Sequence, residues 1–213
     1  MIHFNLKTMK EKFEQILELI DNVDIKVLSK SMDNVHAKGL FSLVIDGSEF
    51  GKLTRVFIAK KKIKPFDVQL HTHCYPLTLT VIKGGVKHHI ANETFVKSKR
   101  TASKISKFQY QSPLNKGKGL EYNEHTYINV RDHILPIGCS THLEIDDIHT
   151  VSCSKGSIWM VEEEGFKINT SKVLGVPFVV NKLYTTPKSY QINDNLQLLR
   201  GEIKLILNEY IKL

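Results

Sequence analysis

The sequence predicts an all-β domain, a barrel or sandwich of short strands, with one amphipathic helix at each end of the chain. Apolar residues recur at steps of three and four near both termini. Between them the period shortens to two, in runs broken by turn residues. No helical pattern alternates with these strands, which disfavours a parallel α/β sheet.

The first helix covers residues 1–22, where Leu6, Met9, Phe13, Ile16, Leu17 and Ile20 share a face with Lys and Glu between them. Strands follow at Leu40–Ile45, at Lys52–Ala59 across an Asp46-Gly47 turn, at Val68–Tyr75, at Leu77–Lys83, and at Val86–Ala91 across Gly84-Gly85. Tyr122–Val130, Glu144–Cys153, Ser157–Glu162 and Pro177–Asn181 complete a barrel over residues 40–182. The stretch Ser98–Gly119 is basic, polar and irregular. It reads as a hairpin or long loop inserted in the barrel, acting either as a lid or as a plain surface loop. The last helix covers 194–213, with Leu196, Leu199, Ile203, Ile206, Leu207 and Tyr210 on one face and Asp194 as N-cap. The expected organisation is one domain, 1–213.

Composition excludes several classes. Hydrophobic residues make up 41% and charged residues 24%, ordinary globular values. No run approaches the roughly 18 apolar residues that span a bilayer, and Met1 to Met9 lacks an apolar signal core. The expected location is cytoplasmic, with no membrane contact. Cys74, Cys139 and Cys153 form an odd set without CxxC spacing, against both a disulfide framework and a cysteine zinc site. The net charge of +8 and pI near 9.3 permit binding to nucleic acid through phosphate contacts. However, the basic groups Lys60-Lys61-Lys62-Lys64 and Lys97-Lys99-Arg100 have only Phe108 and Tyr110 as stacking partners, and no helix-turn-helix or zinc-finger spacing is present. Nucleic acid is therefore the secondary expectation.

The informative run is Gln69-Leu70-His71-Thr72-His73-Cys74-Tyr75-Pro76-Leu77, continuing to Gly84. On a strand, His71 and His73 project from one face, as do Tyr75, Leu77, Leu79 and Val81. That face is apolar and should look inward. Two inward imidazoles are costly unless their nitrogens are satisfied. Two solutions are open: a divalent metal, for which imidazole is a suitable ligand, or hydrogen bonding in a metal-free barrel.

Here the chain resembles the cupin family. His71 and His73 match the family's HxH pair, and Gly84 stands at the matching distance. Leu77 occupies the place of the family's Glu ligand, and the leading glycine is absent. The second cupin motif is matched by Asp146-Asp147-Ile148-His149-Thr150-Val151, without its Pro-x-Gly turn. The resemblance covers about residues 40–165. It implies a double-stranded β-helix (jelly-roll) barrel, a metal held by His71, His73 and His149, and pairing into homodimers. An all-histidine site is similar to that of the three-histidine thiol dioxygenases. It implies Fe2+ first, then Zn2+, Ni2+ or Mn2+, with positions open for an anionic ligand.

Other residues share this neighbourhood. Arg55 is a candidate clamp for a substrate carboxylate if its side of the strand faces inward. Tyr75 is a candidate hydrogen-bond donor, and Gln69 lies in phase with His71. Cys153 shares the face of His149 and Val151, as either an inert buried thiol or a redox-tuned one. One of His88 and His89 must point inward, as a supporting group or a further ligand. The run Glu162-Glu163-Glu164 reads as a solvated strand end. The expected function is a metal-dependent enzyme, either an oxygenase or an isomerase, acting on a small polar or anionic molecule. The alternative is a non-catalytic ligand-binding module taking a nucleotide or nucleic acid.

Overall fold

A computed structural model describes residues 6–47, 49, 51–94, 103–111, 117–175 and 185–211. Three helices, α1 (Leu6–Asn22), α2 (Ile25–Leu28) and α3 (Ser189–Ile211), bracket eleven strands in these residues. The strands are β1 (Leu40–Asp46), β2 (Thr54–Ala59), β3 (Leu70–His71), β4 (Leu77–Lys83), β5 (Val86–Thr94) and β6 (Ser103–Gln111). They continue as β7 (Gly119–Leu135), β8 (Ser140–Leu143), β9 (Ile148–Cys153), β10 (Ile158–Glu163) and β11 (Ser171–Gly175).

Every pairing is antiparallel. One sheet runs β1-β2-β10-β4-β8. The other runs β11-β3-β9-β5-β7-β6 and closes on itself, because β11 also pairs with β6. Two glycines make the turns possible. Gly47 adopts φ +99°, and a Cβ there would meet the Lys52 carbonyl at 2.1 Å. Gly84, at φ +73°, lets Ser157 Oγ sit within 2.6 Å of where a Cβ would be, as the chain leaves β4 for β5 in the other sheet.

The first sheet is covered on both faces, so its strands are apolar at nearly every position. Phe41, Leu43, Val56, Ile58, Ile82 and Met160 pack beneath Phe13, Ile16, Ile20, Leu199, Ile203 and Leu207 of the two long helices. The alternate residues Leu40, Phe57, Leu79, Val81, Trp159 and Val161 face the space between the sheets. That double burial explains why β1 and β2 lack a clean polar alternation. No helix among the described residues is long and apolar enough to cross a membrane.

The differences from the sequence reading have local causes. Helix α3 begins at Ser189, which places Asp194 inside it. Lys188 caps the helix instead: its carbonyl accepts from Gln191 N, and its N–H donates to Gln191 Oε1 at 2.8 Å. The second of these bonds is the N3 side-chain half of a capping box. The strand expected over Val68–Tyr75 shrinks to Leu70–His71, because its pairing with β9 is confined to His71. The irregular 98–119 stretch contains β6, which pairs with β7 as a hairpin. Lys97, Lys99, Arg100 and the Pro177–Asn181 strand lie outside the described residues.

Candidate metal centre

His71 and His149 are directly opposed across the β3–β9 pairing. Opposed residues of an antiparallel pair share a face, which brings their rings to 5.0 Å between centroids. His73 lies beyond the end of β3, yet it keeps strand parity. Thr72 explains this: its N–H donates to the Lys172 carbonyl at 2.9 Å, and its Oγ1 accepts from Lys172 N at 2.9 Å. The His73 ring therefore sits 4.7 Å from that of His71 and 5.0 Å from that of His149. Among the described residues, His71, His73 and His149 form the group able to hold an ion, each offering an atom within 4.8 Å of the others.

A hydrogen bond to a carbonyl sets the tautomer of His71. His71 Nδ1 lies 2.7 Å from the Gln69 carbonyl. A carbonyl only accepts, so Nδ1 carries the proton and Nε2 keeps its lone pair. His149 has both nitrogens engaged: Nδ1 at 2.9 Å from His88 Nε2, and Nε2 at 2.8 Å from His73 Nε2. With the Nδ1 proton donated to His88, the His149 Nε2 lone pair faces the same space as that of His71. His88 is thus the inward member of the His88-His89 pair. His89 turns to the outer face, where it meets Asp132 at 2.6 Å and Ser152 at 2.8 Å.

Burial keeps these rings neutral. It lowers the His71 pKa, against the opposing pull of the Gln69 carbonyl. It holds His73 well below the ordinary value, with His71 adding to the effect. His149 is likewise held well below, by burial and then by His71, His73 and His88. His88 is lowered to about 4 by burial, then by His133 and His89. The donor set fits a divalent cation: three neutral imidazoles, two of them with Nδ1 already tied.

The same shifts make the metal-free protein acid-sensitive. A free histidine takes its proton near pH 6.5, whereas the folded rings resist until far lower pH. Stability is therefore full above about pH 6.5 and falls as the pH drops toward about 4. The expected loss is roughly 1 kcal/mol per buried histidine per pH unit. Urea unfolding at pH 7.5 and 5.5 measures it, and equal midpoints would mean the rings titrate normally.

Beside the cluster lies a buried polar hub. Glu163 Oε1 accepts from Arg55 Nε at 2.6 Å and Tyr75 OH at 3.0 Å, and Oε2 accepts from the N–H groups of Gly51 and Leu53 at 2.8 and 3.2 Å. This corrects the reading of Glu162-Glu163-Glu164 as a solvated end, since the Glu163 side chain is 1% exposed. Arg55 does face inward, and it is paired with Glu163. Burial, and then Glu163, raise the Tyr75 phenol above its usual value. Glu163 stands directly across from Leu77, the position where the cupin pattern has its Glu ligand. Its oxygens, however, are already bound by four donors. Cys153 packs in the core with Val151, and burial pushes its thiol up to about 11.

A cavity of about 50 Å³ opens beside the cluster, walled by Phe57, Leu79, Val151, Trp159 and Val161. It is also lined by His36, whose ring stacks on His71 at 5.3 Å. His36 precedes β1, outside any motif, so nothing in the sequence flagged it. For Glu163 a signal did exist: it shares the inward parity of Trp159 and Val161. His125, His133 and His142 lie on exposed positions and are not among the three clustered histidines.

No family model and no curated protein matches the sequence. Among solved structures, the chain is similar to FeII HppE in complex with substrate, at 12% identity over 68% of this chain and 62% of that one, with a TM-score of 0.38. It is also similar to hydroxypropylphosphonic acid epoxidase from S. wedmorenis, at 16% identity over 67% and 60%, with a TM-score of 0.38. A third is hydroquinone 1,2-dioxygenase PnpCD in complex with Cd2+ and 4-hydroxybenzonitrile, at 12% identity over 75% and 71%, with a TM-score of 0.31. The chain spans about six-tenths of the length of the first two.

Proposed function

We propose that this chain is a metal-dependent enzyme on a cupin-type jelly-roll barrel, holding one divalent ion on His71, His73 and His149 and acting on a small polar or anionic molecule. The observation that carries this reading is the convergence of three neutral imidazoles on one point of an apolar cavity, with the outward nitrogens of His71 and His149 tethered. Fe2+ is the first choice, with dioxygenase chemistry, and Zn2+, Ni2+ or Mn2+ are the others. Such an ion supplies Lewis acidity, and iron adds reactivity toward dioxygen. The chain's own part is to orient the ligands, exclude water from the apolar wall and hold the site neutral, so that an anionic ligand is favoured.

His88 has a defined place in this scheme, as the acceptor that keeps the His149 proton on Nδ1. His88→Leu removes that acceptor and is expected to weaken zinc binding about 10- to 100-fold. His88→Gln, which retains one, should lose less. Chelator competition measures both, and wild-type affinity in His88→Leu would show that His149 needs no tether.

Plasma mass spectrometry of the purified protein tests the reading. About one equivalent of a divalent metal is expected, lost in His71→Ala, with dioxygen uptake when Fe(II) and a suitable thiol or other small anion are added. A wild type that takes no metal after reconstitution would sink it. The barrel would then be a metal-free binding module, to be sought through a salt-sensitive electrophoretic shift with nucleic acid.

A further inference from the structure

His36 sits in a loop constructed around two left-handed residues, Asn34 at φ 58° and His36 at φ 63°. Residues with side chains occupy that region uncommonly, and here the surroundings enforce it. Met32 exchanges two hydrogen bonds with Ser42, and Asp33 exchanges two with Thr185. Gly39 N donates to Asn34 Oδ1 at 2.7 Å, and Val35 N donates to the Leu40 carbonyl at 2.9 Å. The result is an imidazole stacked on His71 and tilted against Phe57, at the open end of the cavity. His71 has Nδ1 engaged and His149 both nitrogens, whereas those of His36 have no hydrogen-bond partner among the described residues. His36 also stands outside the group of three whose ligand atoms lie within 4.8 Å of one another.

The rest of the lining restricts what can enter. Apart from the four histidines, the cavity wall is aliphatic or aromatic. A polyol or nucleotide would leave hydroxyl or amide groups unpaired against Leu79, Phe57 and Val161. A ligand with a few carbons and one polar end leaves nothing unpaired.

We propose that His36 is a substrate-contacting residue, and that the substrate is a compact amphiphile whose single polar or anionic head lies between His36 and the His71–His73–His149 cluster while its apolar body fills the Phe57–Trp159–Val161 wall. The position of the head rests on the metal-site reading; the contact with His36 and the apolar body do not.

Trp159 is the chain's single tryptophan and lines the cavity, so its fluorescence reports occupancy. The experiment titrates zinc-loaded wild type, His36→Ala and His36→Gln with acetate, butyrate and sulfate, and measures zinc affinity separately by chelator competition. Butyrate should bind about fifteenfold tighter than acetate, at roughly fourfold for each of its two added methylenes. His36→Ala should weaken butyrate about tenfold and His36→Gln less than about threefold, with zinc affinity held within about threefold in both. Equal butyrate binding by wild type and His36→Ala overturns the contact. Sulfate or acetate binding as tightly as butyrate, or no response to any of the three, overturns the substrate class. A wild type that takes no zinc fails the metal reading instead. The titration on the metal-free protein then decides the His36 contact by the same comparison.

Discussion

His149→Ala should lose metal binding by more than about 100-fold, beyond the effect expected for a supporting residue such as His88. His149 is the one ring of the cluster with a described partner on each nitrogen, at 2.9 Å to His88 and 2.8 Å to His73. Its loss removes a ligand, releases His88, and leaves His73 Nε2 facing an apolar void. Zinc competition and metal content measure the effect. The same variant carries an opposite signature in the metal-free protein. One buried neutral histidine fewer means a shallower loss of stability below pH 6.5, by about 1 kcal/mol per pH unit. Retained metal at wild-type affinity would remove His149 from the site.

Glu163→Ala should be the most destabilising single change near the cavity, costing about 3–5 kcal/mol. The carboxylate is 1% exposed, and its Arg55 partner 9%. Truncation strands a guanidinium in a dry environment, together with the Tyr75 hydroxyl and the N–H groups of Gly51 and Leu53. Glu163→Gln keeps the shape and part of the acceptor capacity and should cost less. Replacing Arg55 by Met together with Glu163 by Leu should recover part of the loss, because no unpaired charge remains. Urea unfolding checks the series. A loss below about 1 kcal/mol for Glu163→Ala would show that water reaches the pair. Tyr75 links this hub to the cluster, since its ring lies 5.8 Å from that of His73.

The sequence alone determined what depends on neighbours along the chain. Period-three-and-four apolar residues marked α1 and most of α3, and the turns at Asp46-Gly47 and Gly84-Gly85 bounded their strands, because backbone preference and one-sided burial act over a few residues. Strand parity put Cys153 in phase with His149, and the separation of His71 and His73 by one residue put both on one face. The third member of the cluster, His149, came from a family resemblance rather than from parity.

The tertiary structure decided what depends on pairing between distant segments. The β3–β9 register opposes His71 to His149, 78 positions on. Parity left the orientation of Arg55 open, since both faces of its strand are apolar; helices α1 and α3 on one side and the second sheet on the other settled it. Parity with Trp159 and Val161 could place Glu163 inward, but its partners Arg55, Tyr75 and two backbone N–H groups come from other parts of the chain and only the fold brings them together. His36 reaches the cavity only because a left-handed loop folds it over His71. Such contacts are created by chain closure over long separations, and a linear sequence carries no period for them.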